Sequence, residues 1–200
     1  MVPACYCRTM ARVAQHKGFS PAAFLAWEHE QRGRHEYFRG EVFAMAGGSV
    51  RHNALCAKVI GALQARLAAG CNVLTSDQRV GVSAGERYVY PDVSVVCGAI
   101  VLEQGTADVL SNPTVLVEVL SASTEQYDRG LKWEGYQRIH SLTDFLLVSQ
   151  AEARIEHFRR DSDEAWIYRS ASSGELVTLA NGVALDVDAI FAGTFDLPGD

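Results

Sequence analysis

One acidic residue interrupts an apolar run in the middle of the chain. Glu118 lies inside Val115-Leu-Val-Glu-Val-Leu120, a run whose β-branched residues predict a strand. Alternate residues of a strand share a face, so Leu116 and Leu120 flank Glu118. Burying an unpaired carboxylate costs several kcal/mol, so such a group is normally paired, protonated or bound to a metal. A solvent-exposed Glu118 on an edge strand stays open as the alternative, although the two leucines disfavour it.

A second acidic residue, Asp92, follows Pro91 at the start of the β-rich run Asp-Val-Ser-Val-Val-Cys97. The separation of 26 residues from Asp92 to Glu118 is enough for a strand, a turn and a return strand, which could place the two carboxylates side by side. Neighbouring carboxylates repel each other unless a divalent cation, which prefers hard oxygen ligands, lies between them. An aspartate after a proline is also common in turns, so this motif alone leaves a purely structural role open.

Three more polar residues follow the Glu118 strand at helical spacing. Asp128, Lys132 and Tyr136 occupy positions i, i+4 and i+8, so they share one face of a helix. A surface ion pair would explain Asp128 and Lys132 equally well. Because the helix starts directly after the strand that carries Glu118, however, Lys132 could lean back over the end of that strand.

The remaining pattern predicts a mixed α/β fold. Ser49 is the expected N-cap of the longest helix, and Ser123 with Gln126 fits a capping box. Helices are expected over residues 21–31, 50–69 and 123–136, and a hairpin around an Arg39–Gly40 turn. Strands are expected at residues 72–75, 79–83, 88–90, 92–97, 115–120, 145–149, 154–159, 165–169, 176–180 and 183–187. The sum is a mixed sheet flanked by helices, with a C-terminal β meander.

Domain boundaries follow from the same pattern. Residues 1–18 are expected to be an N-terminal extension, residues 19–192 a single domain and residues 193–200 a C-terminal tail. Met10-Ala-Arg fits a typical start, so Met10 is the expected initiator. The apolar runs are far shorter than the roughly 20 residues that a membrane-spanning helix needs, and the N-terminus does not resemble a secretory signal. A cytoplasmic protein is therefore expected.

Charge and cysteine content exclude several classes of function. The net charge of −6 gives no support to binding of nucleic acid through bulk positive charge. The five cysteines are odd in number and form no C-x-x-C pair, which argues against a disulfide framework and a zinc knuckle. Cys56 and Cys97 lie in apolar runs and are expected to be small core residues. The chain also lacks a P-loop and a G-x-S-x-G elbow.

Several motifs, taken in order, resemble one family. They are Arg34-His-Glu36-Tyr-x-x-Gly40-Glu41 with the block that continues to His52-Asn53, then Tyr90-Pro-Asp92-Val-Ser-Val-Val, Val117-Glu118-Val-Leu-Ser121-x-Ser-Thr124 and Tyr127-Asp128-x-x-x-Lys132-x-x-x-Tyr136. In this order they resemble the Uma-type restriction endonucleases, a branch of the PD-(D/E)XK nuclease superfamily. The resemblance covers residues 19 to 191 and implies a restriction-endonuclease-like fold.

The resemblance also implies catalytic and metal-binding roles. Asp92 and Glu118 match the catalytic acids that bind the metal, Mg²⁺ or Mn²⁺, and Glu41 matches an N-terminal acid that can complete the metal site. The superfamily's usual lysine, two residues after the glutamate, is missing because position 120 is Leu. Lys132 matches the catalytic lysine, which in this family comes from the following helix.

Four further residues are candidates for auxiliary roles. Glu36 and His52 match family positions whose roles are less clear, and Asp128 and Tyr136 share the helix face of the matched lysine. For His52, a hydrogen bond made from a helix face is as good an interpretation as catalysis.

These residues suit phosphodiester hydrolysis, which needs a metal and a cation that holds the attacking water or neutralises transition-state charge. The leading hypothesis is a Mg²⁺-dependent endonuclease that cuts DNA, with Lys132 orienting the water. A nuclease-fold module that binds nucleic acid or protein without catalysis is the alternative, and a two-carboxylate glycosidase is disfavoured because the chain has only three Trp.

A homodimer is expected because duplex DNA has two strands and the C-terminal meander has an aromatic surplus, made up of Phe145, Phe158, Trp166 and Tyr168.

Overall fold

The computed structural model describes residues 15–83, 85–162 and 165–200. Its elements in chain order are β1 (His16–Lys17), α1 (Pro21–Glu28), β2 (His35–Phe38), β3 (Glu41–Ala44), α2 (Val50–Gln64), β4 (Cys71–Thr75), β5 (Arg79–Val82), β6 (Arg87–Val89), β7 (Val93–Cys97), β8 (Val109–Leu110), β9 (Val115–Val119), α3 (Glu125–Tyr127), a π-helical turn (Asp128–Lys132), α4 (Trp133–Tyr136), β10 (Asp144–Val148), β11 (Arg154–Arg160), β12 (Trp166–Ser172), β13 (Leu176–Thr178), β14 (Ala184–Asp186) and α5 (Val187–Phe191). Most of the expected N-terminal extension, with Cys5, Cys7 and Met10, lies outside the described residues. Among the described helices, none combines the length and the apolar character needed to cross a membrane.

Two six-stranded sheets form the framework. Sheet A has the strand order β1-β3-β2-β6-β5-β8, and sheet B has the order β12-β11-β10-β9-β7-β4. In sheet B, β9 and β10 are parallel, whereas β7 and β9 are antiparallel. The strand and return strand expected between Asp92 and Glu118 are therefore β7 and β9, and the mixed α/β class predicted from the sequence is confirmed.

Apolar side chains cover both faces of sheet B. On one face, α2 and α5 pack against the strands through Leu55, Leu63 and Ile190. On the other face, Val80 and Val89 of sheet A belong to one cluster with sheet B residues, among them Leu116, Leu120 and Phe145. Glu118 shares the strand face of Leu116 and Leu120, so its carboxylate lies between the two sheets rather than in solvent.

The hairpin and the start of the longest helix form as predicted. β2 and β3 pair in antiparallel direction around Arg39 and Gly40, whose φ angles of 45° and 91° are the positive values that a tight two-residue turn of this kind requires. Ser49 caps α2, because its Oγ accepts a 3.2 Å hydrogen bond from the His52 N–H. This cap fixes the first turn of α2, from which His52 projects.

Three helix boundaries differ from the prediction. α1 ends at Glu28 instead of residue 31. α2 ends at Gln64 instead of residue 69; beyond it the Arg66 N–H bonds the Leu63 carbonyl three residues back at 3.1 Å, and Gly70 has a positive φ of 92°. The helix expected from Ser123 begins at Glu125, and Ser121 rather than Ser123 accepts the Thr124 N–H at 3.2 Å. The short elements β8 and α5 were not expected from the sequence.

Cys97 packs against the apolar core as expected, but it is not a free thiol. It forms a disulfide with Cys71, which lies directly opposite it in the antiparallel β4–β7 pair, with the Cα atoms 4.0 Å apart. The expectation of no disulfide was therefore wrong, because cysteine spacing in the sequence does not reveal which residues strand pairing brings together. Cys56 does pack against the α2 side of the core and is a free thiol.

The aromatic residues that motivated the homodimer pack mainly with one another. Trp133 contacts Phe145, Phe158 and Trp166 with ring centroids 5.2, 4.5 and 4.8 Å apart. Tyr168 contacts Phe158 at 5.1 Å but keeps 55% of its surface exposed. This cluster holds α4 on sheet B, and it leaves little aromatic surface for a second copy to cover.

Candidate active site

A pocket of about 320 Å³ opens beside the first turn of α2, next to the ends of strands from both sheets. Its lining includes sequence-predicted site residues from five separate segments: Glu36 from β2, His52 from α2, Asp92 before β7, Glu118 from β9, and Asp128 with Lys132 from the π-helical turn. The fold thus brings most of the sequence-predicted site residues into one pocket.

Asp92 and Glu118 lie opposite each other on neighbouring strands. β7 and β9 pair with Val93 opposite Val117, and this register continues to Asp92 opposite Glu118 on the same face of sheet B. Asp92 Oδ2 accepts a 2.7 Å hydrogen bond from the Val119 N–H, which fixes this carboxylate at the end of the strand pair. The side-by-side carboxylates anticipated from the sequence are present.

Glu118 is 3% exposed and has two close donors. Lys132 Nζ donates to its Oε1 at 2.9 Å, and the Tyr136 hydroxyl donates to the same oxygen at 2.6 Å. Burial raises the pKa of Glu118 well above its ordinary value; Lys132 opposes this rise, whereas Asp128 and Asp92 add to it. This carboxylate therefore favours either a proton or an additional cation.

Lys132 is the centre of the charge network. Its Nζ lies 2.9 Å from Glu118, 3.2 Å from Asp128 and 3.3 Å from Glu36. Desolvation by itself lowers the pKa of Lys132, but the three carboxylates outweigh it, so the pKa is raised well above its usual value and the lysine stays protonated. Burial also raises the pKa of Asp128, in spite of Lys132. One buried ammonium group thus forms ion pairs with three carboxylates.

The π-helical turn points this lysine inward. The turn is widened because the Trp133 N–H donates to the Asp128 carbonyl, five residues back. Asp128 and Lys132 are 2% and 4% exposed, whereas Leu131 between them is 45% exposed. With Tyr136 fully buried on the same side, the shared helix face predicted for these polar residues is confirmed.

His52 reaches the pocket from the first turn of α2. Its Nε2 lies 3.3 Å from Asp92 Oδ2, and its Nδ1 lies 3.6 Å from Cys56 Sγ. Burial lowers the pKa of His52, but the hydrogen bond and charge of Asp92 outweigh burial, so the net pKa is raised. The ring occupies space that a side chain at position 48 would fill, because a Cβ on Gly48 would lie only 2.5 Å from His52 Nδ1.

The structure separates the two glutamates of the hairpin. Glu36 is 1% exposed and lines the pocket, whereas Glu41 pairs with Lys17 at 2.8 Å outside it. Both belong to the same hairpin face, but Glu36 lies opposite Phe43 and Glu41 lies opposite Phe38, next to the turn. Glu41 is therefore about 7 Å farther along the hairpin.

Three pocket residues had no role assigned from the sequence. Arg34 Nη1 bonds the carbonyl and hydroxyl of Ser76 at 2.6 and 2.8 Å, which fixes its guanidinium at the pocket. Cys56 lies one helical turn after His52, a spacing that could have been noticed. Asp200 accepts a 2.9 Å hydrogen bond from Gln150. Strand or helix periodicity in the sequence cannot predict this contact, because the two residues are far apart in the chain.

The donor set of the pocket fits a divalent cation. Asp92, Glu118 and Glu36 offer carboxylate oxygens, the ligands that Mg²⁺ and Mn²⁺ prefer. The pocket also has more carboxylates than Lys132 neutralises, so a cation would remove repulsion that the apo protein retains.

Comparison with known proteins identifies similar chains. The Uma2 family model, described as "Putative restriction endonuclease", matches residues 21–190. The uncharacterized Synechocystis protein slr1290 is 34% identical over 176 residues, which cover 87% of this chain and 92% of that protein. The Synechocystis protein sll1609, also uncharacterized, is 30% identical over 159 residues, covering 79% of this chain and 90% of its own length.

A solved structure has the same fold. It is the crystal structure of a protein from Anabaena variabilis described as "a putative nuclease belonging to DUF820". The TM-score is 0.71 at 16% sequence identity, and the match covers 88% of this chain and 99% of the other. This similarity confirms the restriction-endonuclease-like fold that the sequence motifs implied.

Replacing Gly48 by Ala should displace the His52 ring. The new methyl group would clash with Nδ1, break the contact with Asp92 and bring the raised pKa of His52 back toward about 6.5. NMR titration of the histidine ring measures this pKa. Gly47→Ala is the matched control, since a Cβ at Gly47 meets no atom within 4 Å. An unchanged His52 pKa in folded Gly48→Ala would contradict the positioning role.

Glu118 should make the metal-free protein less stable as the pH rises. Because its pKa is raised in the folded state, folding favours the protonated form; this stabilisation is complete below the unfolded pKa of about 4.3 and is lost as the pH rises through the folded pKa. In EDTA, the free energy of unfolding of the wild type should therefore fall relative to that of Glu118→Gln above about pH 4.3. Urea denaturation at a series of pH values tests this, with exposed Glu30→Gln as control. Parallel pH profiles for wild type and Glu118→Gln would refute it.

Proposed function

We propose that this chain, since it belongs to the Uma2 family, is a metal-dependent endonuclease that hydrolyses phosphodiester bonds in DNA. The observation that carries the proposal is the buried ammonium group of Lys132, which faces three carboxylates in a pocket that also contains Asp92. The pocket therefore offers acidic ligands for a cation and a fixed positive group beside them.

The cytoplasm, expected from the sequence, is the proposed compartment.

Asp92 and Glu118 are the proposed ligands of Mg²⁺ or Mn²⁺. Their position opposite each other on β7 and β9 supports this role, as does the hydrogen bond that holds Asp92 at the end of the strand pair. Glu36 is the proposed third acid in place of Glu41. It lies 3.3 Å from Lys132 Nζ inside the pocket, whereas Glu41 is neutralised by Lys17 elsewhere.

The pocket residues suit phosphodiester hydrolysis. A bound divalent cation would polarise a phosphoryl oxygen and lower the pKa of a water molecule. Lys132 stays protonated, so its ammonium group can hold that water and neutralise charge that develops in the transition state. Asp128 positions Lys132, and Tyr136 positions Glu118 through its 2.6 Å hydrogen bond. His52 is the proposed auxiliary group that holds Asp92.

Arg34 is the proposed contact for a neighbouring phosphate. Its side chain is 38% exposed, and its bonds to Ser76 and Asp77 hold the guanidinium at the pocket. A guanidinium can bind phosphate oxygens through two parallel hydrogen bonds. Because the net charge is −6, such local contacts rather than a broad basic surface would hold the DNA backbone.

The competing proposal is a nuclease-fold module without catalysis. The missing lysine at position 120 speaks for it, but Leu120 is part of the apolar cluster between the sheets and Lys132 contacts Glu118 at 2.9 Å from the neighbouring helical segment. This contact gives the proposed metal ligand Glu118 a neighbouring positive group. This contact favours the enzyme over the binding module.

Plasmid nicking should depend on Mg²⁺ or Mn²⁺ and on both Glu118 and Lys132. Glu118→Gln should lose activity together with the thermal stabilisation by Mg²⁺, which in the wild type follows RT ln(1 + [L]/Kd). Lys132→Ala should keep the Mg²⁺-induced stabilisation yet lose at least about a hundredfold in rate, the typical contribution of one group that stabilises a transition state.

The control for Lys132→Ala is Lys58→Ala, because Lys58 lies on α2 outside the pocket. It should cut DNA at the wild-type rate, and EDTA should stop both proteins. The binding module would show no metal-dependent cleavage in the wild type. Equal rates for wild type and Lys132→Ala would show that the lysine is wrongly assigned.

A homodimer remains the proposed assembly, now supported by other residues. Cleavage of both strands of a duplex is easiest for two symmetric active sites. Ile100, Val101 and Leu102 form a consecutive apolar segment that a second copy could cover; they are 50%, 50% and 39% exposed.

Light scattering should give the monomer mass for Val101→Asp and twice that mass for the wild type. Leu176→Asp, a control at another exposed apolar residue, should also give twice the monomer mass. A monomeric wild type at tens of micromolar would overturn this assembly.

A further inference from the structure

Three residues beside the proposed Mg²⁺ site form a cluster of a different chemical type. His52 and Cys56 lie one turn apart on α2, and Asp92 faces them from the start of β7. One nitrogen, one sulfur and one carboxylate oxygen from this His52–Cys56–Asp92 cluster all lie within 4.8 Å of one another. They belong to the same pocket wall, so an ion entering the pocket reaches all three.

The distances in the cluster are close to those of a coordinated ion. Tetrahedral Zn²⁺ with bonds of about 2.1 Å to nitrogen or oxygen and about 2.3 Å to sulfur separates its ligand atoms by about 3.3 to 3.6 Å. The His52 Nδ1 to Cys56 Sγ distance is 3.6 Å, and the His52 Nε2 to Asp92 Oδ2 distance is 3.3 Å. These two distances involve different nitrogens, and one imidazole binds an ion through one nitrogen. With a single nitrogen, the three ligand atoms lie within 4.8 Å of one another, so closing the site needs movements of roughly 1 Å.

The surroundings hold these ligands close together. Burial and the charges of Asp92 and Glu118 raise the pKa of the Cys56 thiol, so a bound ion has to displace its proton. Cys56 is the free thiol among the described residues, since Cys71 and Cys97 are joined in a disulfide. The absence of a side chain at Gly48 leaves the room in which the His52 ring lies beside Cys56 and Asp92. Asp200 lines the same pocket and acts electrostatically on His52, so its carboxylate or a water molecule can supply a fourth ligand.

We infer that the His52–Cys56–Asp92 cluster is a second cation site, selective for a thiophilic divalent ion such as Zn²⁺. Sulfur and imidazole ligands favour Zn²⁺ and Co²⁺, whereas Mg²⁺ prefers oxygen ligands alone. On binding, the Cys56 thiol and a protonated His52 ring each release one proton to solvent, and the thiolate sulfur and one nitrogen of the neutral imidazole bond the ion. The inference builds on the proposed function at one point: Asp92 serves both sites, so Zn²⁺ and Mg²⁺ would compete for it.

Co²⁺ is the probe that tests the site, because thiolate coordination gives it an intense near-ultraviolet charge-transfer band and tetrahedral geometry gives it strong visible bands. The protein carries Cys5→Ser and Cys7→Ser, so that Cys56 is the thiol observed, and reductant is omitted to keep the Cys71–Cys97 disulfide. Titration with Co²⁺ should produce both sets of bands, and one equivalent of Zn²⁺ should remove them.

Variants separate this site from the proposed Mg²⁺ site. Cys56→Ser should abolish the charge-transfer band, and His52→Gln should weaken Co²⁺ binding at least tenfold. Glu118→Gln should keep the band, because Glu118 belongs to the Mg²⁺ site and not to the cluster. Circular dichroism confirms that each variant is folded.

Two results would overturn the inference. One is a folded wild-type protein without the charge-transfer band, and the other is a band that persists in Cys56→Ser. If the band appears as expected but no Mg²⁺-dependent nicking is found, the nuclease proposal fails and the thiophilic site stands. If nicking is found without the band, the inference of a thiophilic site fails and the nuclease proposal stands.

Discussion

The buried ion network around Lys132 is the interaction on which the rest of the site depends. A charged lysine removed from water costs several kcal/mol unless it is closely paired. Here its partners come from three places: Glu36 from sheet A, Glu118 from sheet B and Asp128 from the π-helical turn. The lysine therefore joins the two sheets and the helical segment electrostatically, while the apolar cluster between the sheets joins them by packing. Loss of this one cation would leave three buried carboxylates facing one another.

The same network contains more negatively charged groups than positively charged ones. Three carboxylates for one ammonium group, with Asp92 opposite Glu118, leave the pocket short of positive charge. Burial raises the pKa of Glu118 and Asp128, so their protonated forms are favoured more than those of exposed carboxyl groups. A divalent cation bound beside them would instead favour the ionised carboxylates. Stability of the apo protein and affinity for metal are thus opposed, which is the usual relation between a functional site and the fold that carries it.

Sequence patterns identified those candidate site residues whose informative neighbours lie on the same strand or helix. Glu118 stood out because strand alternation places it between two leucines, and Lys132 because helical spacing aligns it with Asp128 and Tyr136. The different surroundings of Glu36 and Glu41 follow from the hairpin register and from the position of Lys17, which strand periodicity does not reveal. The Cys71–Cys97 disulfide and the contact of Asp200 with Gln150 were missed for the same reason: both join residues that only the tertiary fold brings together.

Packing explains why position 120 is apolar while the buried lysine lies on the helical segment. Position 120 shares a strand face with Glu118, but it lies where the two sheets meet, and Leu120 there is 6% exposed among Tyr136, Leu142 and other apolar side chains. A lysine at position 120 would bring its charge into that apolar layer. From the π-helical turn, Lys132 reaches Glu118 from the pocket side and gains Asp128 as a second partner on its own helix. Because the turn is widened between Asp128 and Trp133, the lysine faces the pocket while Trp133 remains in the aromatic cluster against sheet B. One local distortion thus keeps both the core contact and the cation of the site.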